Sequence, residues 1–259
     1  MKTFLGAVCA AAMVACLAVS GPALADPSRS GGAPAAAASS AARSAFSMKD
    51  PFARTITRYG DADVSPYHID HVIELQYRLK WMGYFHAGVT GYFGTVTRHA
   101  VKLFQRHVHL RATGVANHET WARLIHHTIR HRGAIPHICK KAGWHACYDR
   151  SIHQVTLWHG GTMRNSWLVR GGEYDLQTRV GNFHVFYRDI DHVSSVYDTP
   201  MPYSQFFSGG QALHGSGFMV DPFYEHSHGC INMYIQDARQ LWRLTSTKRL
   251  GVSVYGSWD

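Results

Sequence analysis

Beyond its first two dozen residues, the sequence has no apolar run long enough to cross a bilayer, which excludes a later membrane-spanning helix. Acidic residues are also scarce: 17 Asp and Glu stand against 26 Lys and Arg, for a formal net charge of +9. This balance favours an anionic partner such as a cell wall or a membrane surface. Because the basic residues are dispersed and not gathered in one block, we do not expect a nucleic-acid partner.

The first 25 residues have the composition of a secretory signal. Lys2 precedes an apolar run from Phe4 to Val19, and Ala23-Leu24-Ala25 offers a small-residue cleavage site before Asp26. Removing this segment also removes Lys2, so the balance becomes 25 minus 17, or +8. We therefore expect an exported protein that lies in the cell envelope or is secreted.

Cysteine is rare, and two of the five, Cys9 and Cys16, lie in the predicted signal. In an oxidising compartment an odd thiol is either reactive or paired between chains. Cys139 and Cys147 flank a short loop that a disulfide would close, and that pairing would leave Cys230 free. The alternative is that all three are reduced, because sequence alone does not fix the connectivity.

Composition and periodicity divide the chain into five segments. They are a signal (1–25), a flexible low-complexity tether (26–62), a helical domain (63–128), a linker (129–147) and a mostly β domain (148–259). The tether is too poor in large apolar residues to form a core. Histidines crowd the region of the linker, but their spacing fits no structural zinc site, so we interpret it as solvated and basic. These histidines are His126, His127, His131 and His137.

The segment 63–128 predicts a small bundle of three helices, since its apolar residues recur at helical spacing. They are Val72, Leu75, Leu79 and Met82; then Ala100, Val101, Phe104 and Val108; then Trp121, Leu124 and Ile125. Thr95 and Asn117 are placed to cap the second and third helices, and Gly83 ends the first.

The segment from Tyr148 onward loses helical periodicity. Short runs rich in β-branched and aromatic residues predict strands at Gln154–Trp158, Ser166–Arg170, Phe183–Tyr187 and Val252–Tyr255. One helix is predicted after Ile235. We expect a sandwich or partly closed barrel, and an α+β multidomain chain overall.

The chemistry is concentrated in Ser227-His228-Gly229-Cys230-Ile231-Asn232, with Leu213-His214-Gly215 upstream. The thiolate is the attacking species, so a nucleophilic cysteine needs a base within hydrogen-bond reach. A glycine before the cysteine lets the backbone approach closely and aims the Gly229 and Cys230 amides at one point, as an oxyanion hole requires.

These two motifs resemble the L,D-transpeptidase family, which cross-links bacterial peptidoglycan. The helical segment is similar to the peptidoglycan-binding domain that often accompanies wall enzymes, through Leu75-Gln76, Gly91-Tyr92-Phe93-Gly94, Phe104-Gln105 and Thr120-Trp121. Thr178-Arg179-Val180-Gly181 lacks the proline that the family commonly has there. The interval from His214 to Ser227 is also short for the family.

The resemblance implies a role for each matching residue. Cys230 is the expected nucleophile, His214 its base, and the Gly215 carbonyl the group that orients the imidazole. Substrate-binding positions are His228, Asn232, Ser227, Tyr203 and Met201. The implied reaction is acyl transfer from a stem tetrapeptide through a cysteine thioester, with release of D-alanine and resolution by a side-chain amine. No cofactor or metal is implied; carbapenems are the implied inhibitors, and a monomer bound to anionic wall is expected.

Three alternatives stay open. An L,D-carboxypeptidase would use the same Cys–His dyad with water as acceptor. A zinc-dependent wall peptidase would use His214, His226, His228 and Cys230 as ligands, although no carboxylate stands in the motif as its general base. A non-catalytic wall-binding protein is the third, and it leaves the joint presence of Cys230, His214 and Asn232 without an explanation.

Overall fold

The computed structural model describes residue 47 and residues 49–258. The predicted signal and the tether up to residue 46 lie outside these residues. Within the described part of the chain, no helix is long and apolar enough to cross a membrane.

The helical segment forms three α-helices: α1 (Val72–Trp81), α2 (Thr95–His107) and α3 (His118–His127). Their apolar faces meet in one core, which includes Leu75, Phe104 and Trp121, all fully buried. Asn117 begins α3 by accepting a 3.0 Å hydrogen bond from the Thr120 amide, which satisfies one of the free donors at the helix start. The three predicted helices are therefore present at the predicted places.

The second domain contains nine strands in two sheets. The strands are β1 (Trp144–Asp149), β2 (Gln154–His159), β3 (Thr162–Leu168), β4 (Gly181–His184), β5 (Tyr187–Val193), β6 (Pro200–Ser208), β7 (Gln211–Gly215), β8 (Ile231–Met233) and β9 (Leu250–Tyr255). One sheet has the order β3-β2-β1-β9-β4, and the other has the order β5-β6-β7-β8. The pairs β1–β9 and β7–β8 are parallel, and the other pairs are antiparallel.

Helix α4 (Ile235–Thr245) follows β8 directly and closes the core between the sheets. Ala238 and Leu241 on its inner face pack in the same cluster as Trp167 of β3, Leu213 of β7 and Val252 of β9. The β-rich second domain with a single helix after the cysteine motif agrees with the expected α+β class.

The residues just before the bundle are not a tether, which corrects the predicted boundary at residue 62. Ala53 and Arg54 are fully buried, and Thr57 pairs with Ala116 in an isolated bridge. Arg54 lies between the two domains: it donates to both carboxylate oxygens of Glu74 on α1 and to the Ser166 carbonyl of β3 at 2.7 Å. A single buried arginine in a stretch of low apolar content leaves no periodic signal in the sequence, so the pattern missed it.

Two further boundaries differ from the prediction. Strand β1 begins at Trp144, so the end of the predicted linker belongs to the first sheet; Cys147 on that strand forms a disulfide with Cys139. The predicted strand Phe183–Tyr187 is in fact the junction of β4 and β5, which lie in different sheets. The run is apolar because Val185 is buried at this crossing and its amide bonds to the Leu250 carbonyl.

Candidate active site

The parallel pairing of β7 and β8 brings the two sequence motifs together. Leu213 lies opposite Ile231 and His214 opposite Asn232. Cys230 stands one residue before β8, and its sulfur accepts a 3.4 Å hydrogen bond from the Ala212 amide of β7. Since alternate residues of a strand share a face, His214 and Ala212 point to the side on which Asn232 and Cys230 lie. The strand pairing thus places the predicted nucleophile and base on the same side of the β7–β8 pair, with the Cys230 thiol donating to the Gly210 carbonyl at 3.7 Å.

The His214 imidazole is held in one tautomer. Its Nδ1 lies 2.8 Å from the Gly215 carbonyl oxygen, which only accepts hydrogen bonds, so Nδ1 carries the proton and Nε2 carries the lone pair. Burial lowers the pKa of His214 to about 4 and outweighs the raising effect of the Gly215 hydrogen bond; His192 adds a smaller lowering and Asn232 a smaller rise. At neutral pH this imidazole is therefore an uncharged proton acceptor.

The Cys230 thiol is partly buried, and it is the free cysteine of the described chain. It packs against an apolar cluster of Met201, Phe206 and Ala212. Burial raises the pKa of this thiol, and the hydrogen bond from the Ala212 amide offsets only part of that rise. Both the thiol and the imidazole are consequently neutral at rest, and the thiolate has to be generated by proton transfer during attack.

The turn before Cys230 differs from the predicted oxyanion hole. The Gly229 amide donates to the Ser227 hydroxyl at 3.1 Å, and that hydroxyl donates to the Cys230 carbonyl at 2.6 Å. Gly229 has a φ of 115°, a conformation that favours glycine. The Cys230 amide makes no hydrogen bond to any described residue, so it is the free donor of the predicted pair. The Ser227 hydroxyl therefore stabilises the turn of the motif to which it belongs, through these two hydrogen bonds.

The other predicted substrate positions fall into two groups. His228 is half exposed and stacks on Tyr197 with ring centroids 4.4 Å apart. Asn232 lies beside His214 and donates to the Ser216 hydroxyl, and Met201 touches the thiol cluster. Tyr203, in contrast, packs on the main core and on Trp242 of α4. Its φ of 61° breaks the alternation of β6, so its side chain leaves the face that Met201 occupies.

Comparison with protein families identifies both domains. The model of the L,D-transpeptidase catalytic domain matches residues 144–254, the two sheets and the site just described. The model of a peptidoglycan binding domain matches residues 69–124, the helical bundle. The second domain is an L,D-transpeptidase domain.

Solved structures of L,D-transpeptidases are similar to this chain. One from Stackebrandtia nassauensis has the same fold: it is 21% identical, with a TM-score of 0.50, and the match covers 80% of this chain and 97% of that one. Another, from Xylanimonas cellulosilytica, is 25% identical, with a TM-score of 0.44 and coverages of 78% and 98%. A comparison with curated proteins returned no match.

Three residues around the candidate site belong to no motif or periodic pattern that would predict them from the sequence. Tyr197 covers His228 from the β5–β6 connection. Gln211 joins the motif turn to the preceding loop: its amide donates to the Gln177 carbonyl, and its oxygen accepts from the Arg179 amide. Arg170 pairs backbone to backbone with Asn232. They come from strands or loops distant in sequence, so only the pairing of those elements reveals them.

One buried cluster has ligand types suited to a metal. Among the described residues, His71, Glu74 and Asp237 are the group of three potential ligands whose atoms converge within 4.8 Å. Glu74, however, is already bound by the guanidiniums of Arg54 and Arg78, and two fixed positive charges oppose a cation. This cluster joins α1 to α4 of the L,D-transpeptidase domain as an ion pair network. The four residues of the zinc alternative do not form such a group within the part of the chain that the structure describes.

Proposed function

We propose that this protein is an exported cysteine L,D-transpeptidase that forms peptidoglycan cross-links. The single observation that carries the proposal is the His214 Nδ1 hydrogen bond to the Gly215 carbonyl, because it makes Nε2 the proton acceptor of a histidine on the side of the β7–β8 pair where Cys230 lies. The catalytic domain of the family supports the reaction class, and the peptidoglycan binding domain supports the substrate.

In the first half-reaction, His214 Nε2 takes the thiol proton while the Cys230 sulfur attacks the carbonyl carbon of the third residue of a stem tetrapeptide. The oxygen becomes negative and the Cys230 amide donates to it. The tetrahedral intermediate collapses, the bond to the terminal D-alanine nitrogen breaks, and the proton on His214 passes to that leaving amine. A thioester on Cys230 and free D-alanine are the products.

In the second half-reaction, a side-chain amine of a neighbouring stem attacks the thioester carbon. His214 takes the amine proton and returns it to the departing sulfur, so the new amide bond is formed and the enzyme is regenerated. A neutral base with a pKa of about 4 accepts protons transiently without holding them at neutral pH. The dyad geometry serves a water acceptor equally well, so the products have to distinguish transpeptidation from hydrolysis.

The test is to incubate the purified protein with a disaccharide-tetrapeptide and to identify the products by mass spectrometry. A cross-linked dimer with loss of D-alanine supports the transpeptidase. Disaccharide-tripeptide alone indicates the carboxypeptidase, and no product under any condition contradicts both. Cys230→Ala should give no product while remaining folded, and full activity after exhaustive chelation with no metal in the sample removes the zinc alternative.

We also propose that the helical bundle binds the wall. An open groove of about 620 Å³ lies between the end of α1 and the face of α2. It is lined by Tyr84, His86, Arg98, His99 and Lys102 among others, a combination of aromatic and basic groups suited to an anionic glycan polymer. Sedimentation with purified sacculi should be reduced in the Arg98→Ala, Lys102→Ala double variant and restored by low salt. Unchanged sedimentation of that variant at all salt concentrations contradicts this role for the groove.

Export is the third part of the proposal. The Cys139–Cys147 disulfide suits an oxidising compartment, and a wall substrate lies outside the cytoplasm. Intact mass measurement of the protein recovered from the cell envelope should give a chain that begins near Asp26. A protein that retains Met1 and stays in the cytoplasm contradicts it.

A further inference from the structure

The loop 216–226 connects the two halves of the proposed active site. It begins directly after His214 and Gly215, and it ends directly before Ser227. On the side of the catalytic domain, Arg170 donates to the Phe218 carbonyl at 3.2 Å and to the Asp221 carbonyl at 2.9 Å. The Tyr234 hydroxyl donates to the Val220 carbonyl at 3.0 Å. These bonds fix the backbone of the loop from one side.

The other side of the loop is held by the helical bundle. Tyr77 on α1 donates a 2.9 Å hydrogen bond from its hydroxyl to Asp221 Oδ2. Phe223 packs edge-on against the Tyr77 ring at 4.6 Å and against Trp81 at 6.0 Å, one turn further along α1. Asp221 Oδ1 accepts the Phe223 amide at 2.8 Å, so the carboxylate joins the loop's own turn to the helix.

The N-terminal end of this loop contacts the residues that orient His214 and Asn232. The Gly215 carbonyl, which orients His214, immediately precedes the loop. The Ser216 amide donates to the Met233 carbonyl at 3.0 Å, and the Ser216 hydroxyl accepts from Asn232. A displacement of the loop would therefore turn the imidazole and move Asn232, both of which have to stay aligned with the thiol.

A displacement of the loop would also move the residues at its C-terminal end, next to the cysteine motif. The Glu225 carboxylate is an ion-pair partner of Arg170 at 3.5 Å, and Arg170 pairs through its backbone with Asn232. Ser227 follows two residues later and shapes the turn that presents Cys230. Both ends of the loop thus belong to the proposed site, while its middle is fastened to the bundle.

We propose that helix α1 is part of the active-site scaffold, with Tyr77 as a positioning residue that holds the loop 216–226, and through it His214 and Ser227, in the geometry required for acyl transfer. The bundle then has two roles: its groove faces the wall, and its α1 side aligns the catalytic groups. This inference rests on the proposed transpeptidase function. It is independent of whether the groove binds wall.

The test uses the full-length chain and compares Tyr77→Phe with Tyr59→Phe. Tyr59 is an exposed tyrosine that precedes the bundle helices, and its hydroxyl makes no hydrogen bond to any described residue. The folded fraction of each protein is measured by circular dichroism, so that kcat refers to folded enzyme. We expect Tyr77→Phe to lower kcat about fivefold, on the scale of one lost hydrogen bond, with KM nearly unchanged. Tyr59→Phe should match the wild type.

Asp221→Asn and the double variant complete a cycle. If Tyr77 acts through Asp221, the double variant loses little more activity than either single variant; independent, multiplicative losses overturn the proposal. An unchanged kcat in Tyr77→Phe also overturns it, as does a kcat loss that disappears once the folded fraction is taken into account. Should Tyr77→Phe fold poorly, Asp221→Asn leaves the helix intact and weakens the same contact, so its kcat should fall and an unchanged kcat overturns the proposal. Inactivity of the wild-type protein would instead contradict the proposed function.

Discussion

Arg54 and Glu74 form a bidentate ion pair from which water is excluded on both sides, with Nε and one Nη of the guanidinium 2.8 and 2.9 Å from the two carboxylate oxygens. Burial by itself raises the pKa of Glu74, but the Arg54 and Arg78 charges outweigh it and hold the pKa at about 2. Because Arg54 also donates to the Ser166 carbonyl, this pair joins the bundle to the first strand hairpin of the catalytic domain.

Arg54→Met should therefore destabilise the whole chain. Arg78 still pairs with Glu74 in this variant, but Glu74 Oε2 and the Ser166 carbonyl lose a buried charged donor, and breaking a buried ion pair costs about 3–5 kcal/mol. For a protein of this size we expect the melting temperature to fall by about 10 °C. Differential scanning fluorimetry measures it, with Arg111→Met, at an exposed position on the loop after α2, as the control. Equal melting temperatures for the two variants would show that the pair is not essential to the fold.

The pH dependence of acylation should report His214. Only the neutral imidazole accepts the thiol proton, and burial lowers its pKa to about 4, so kcat/KM should stay high down to about pH 5 and fall below it. His192→Gln removes a smaller cause of the lowering, and the acid limb should then move up by a fraction of a pH unit. His184→Gln, on exposed β4, is the matched control. An acid limb near pH 6.5, the ordinary value for histidine, would contradict the lowered pKa of His214.

The pH dependence of the unfolding free energy should also report the lowered pKa of His214. The folded-state pKa of His214 lies below its ordinary value of 6.5, so between about pH 4 and 6.5 the unfolded chain binds a proton that the folded chain does not. The unfolding free energy must therefore fall as the pH drops through this window. His214→Gln should remove that part of the slope, which denaturant titrations of both proteins at pH 4.5 and 7 measure. Parallel pH profiles for the two proteins would contradict it.

Inhibition should follow from the thiol. A strained β-lactam carbonyl should acylate Cys230, since ring opening mimics the first half-reaction, and the family resemblance points to carbapenems over most penicillins. In His214→Ala acylation should slow strongly, with partial recovery only at alkaline pH, because burial raises the pKa of Cys230. Stopped-flow fluorescence measures the acylation rate, and mass spectrometry of the adduct identifies the acylated residue. An adduct elsewhere, or an unchanged rate, would mean that the dyad is wrongly assigned.

Gly229→Ala should disable the motif turn. A Cβ there would lie 2.6 Å from Gln211 Nε2 and 3.1 Å from the Leu176 carbonyl, and the φ of 115° is one that side chains rarely adopt. The strain costs about 1–3 kcal/mol and displaces the Cys230 amide, so acylation should slow at least about tenfold. Gly133→Ala, where a Cβ meets nothing within 4 Å, is the control. Acylation at the control's rate would show that the turn tolerates a side chain.

The sequence predicts best those features that depend on regular apolar spacing or on residues that are neighbours in the chain. The three bundle helices follow from apolar spacing, and Cys230 and His214 follow from two short motifs. The hidden features depend on distant pairs: Tyr77 and Asp221 are 144 residues apart, and Arg54 is 112 residues from Ser166. The Cys230 amide was predicted as an oxyanion donor together with the Gly229 amide, but the hydrogen bond from the Gly229 amide to the Ser227 hydroxyl depends on the local turn geometry and was not predicted.

The order of the cysteines along the chain has a consequence for biogenesis. Cys139 and Cys147 are separated by eight residues, whereas Cys230 follows Cys147 by 230 minus 147, or 83, residues. Closing a short loop costs less entropy than closing a long one, and during synthesis from the N-terminus the near pair emerges well before the third thiol. The disulfide between Cys139 and Cys147 can therefore form before Cys230 has been synthesised. This order reduces the chance that Cys230 forms a disulfide with either of them.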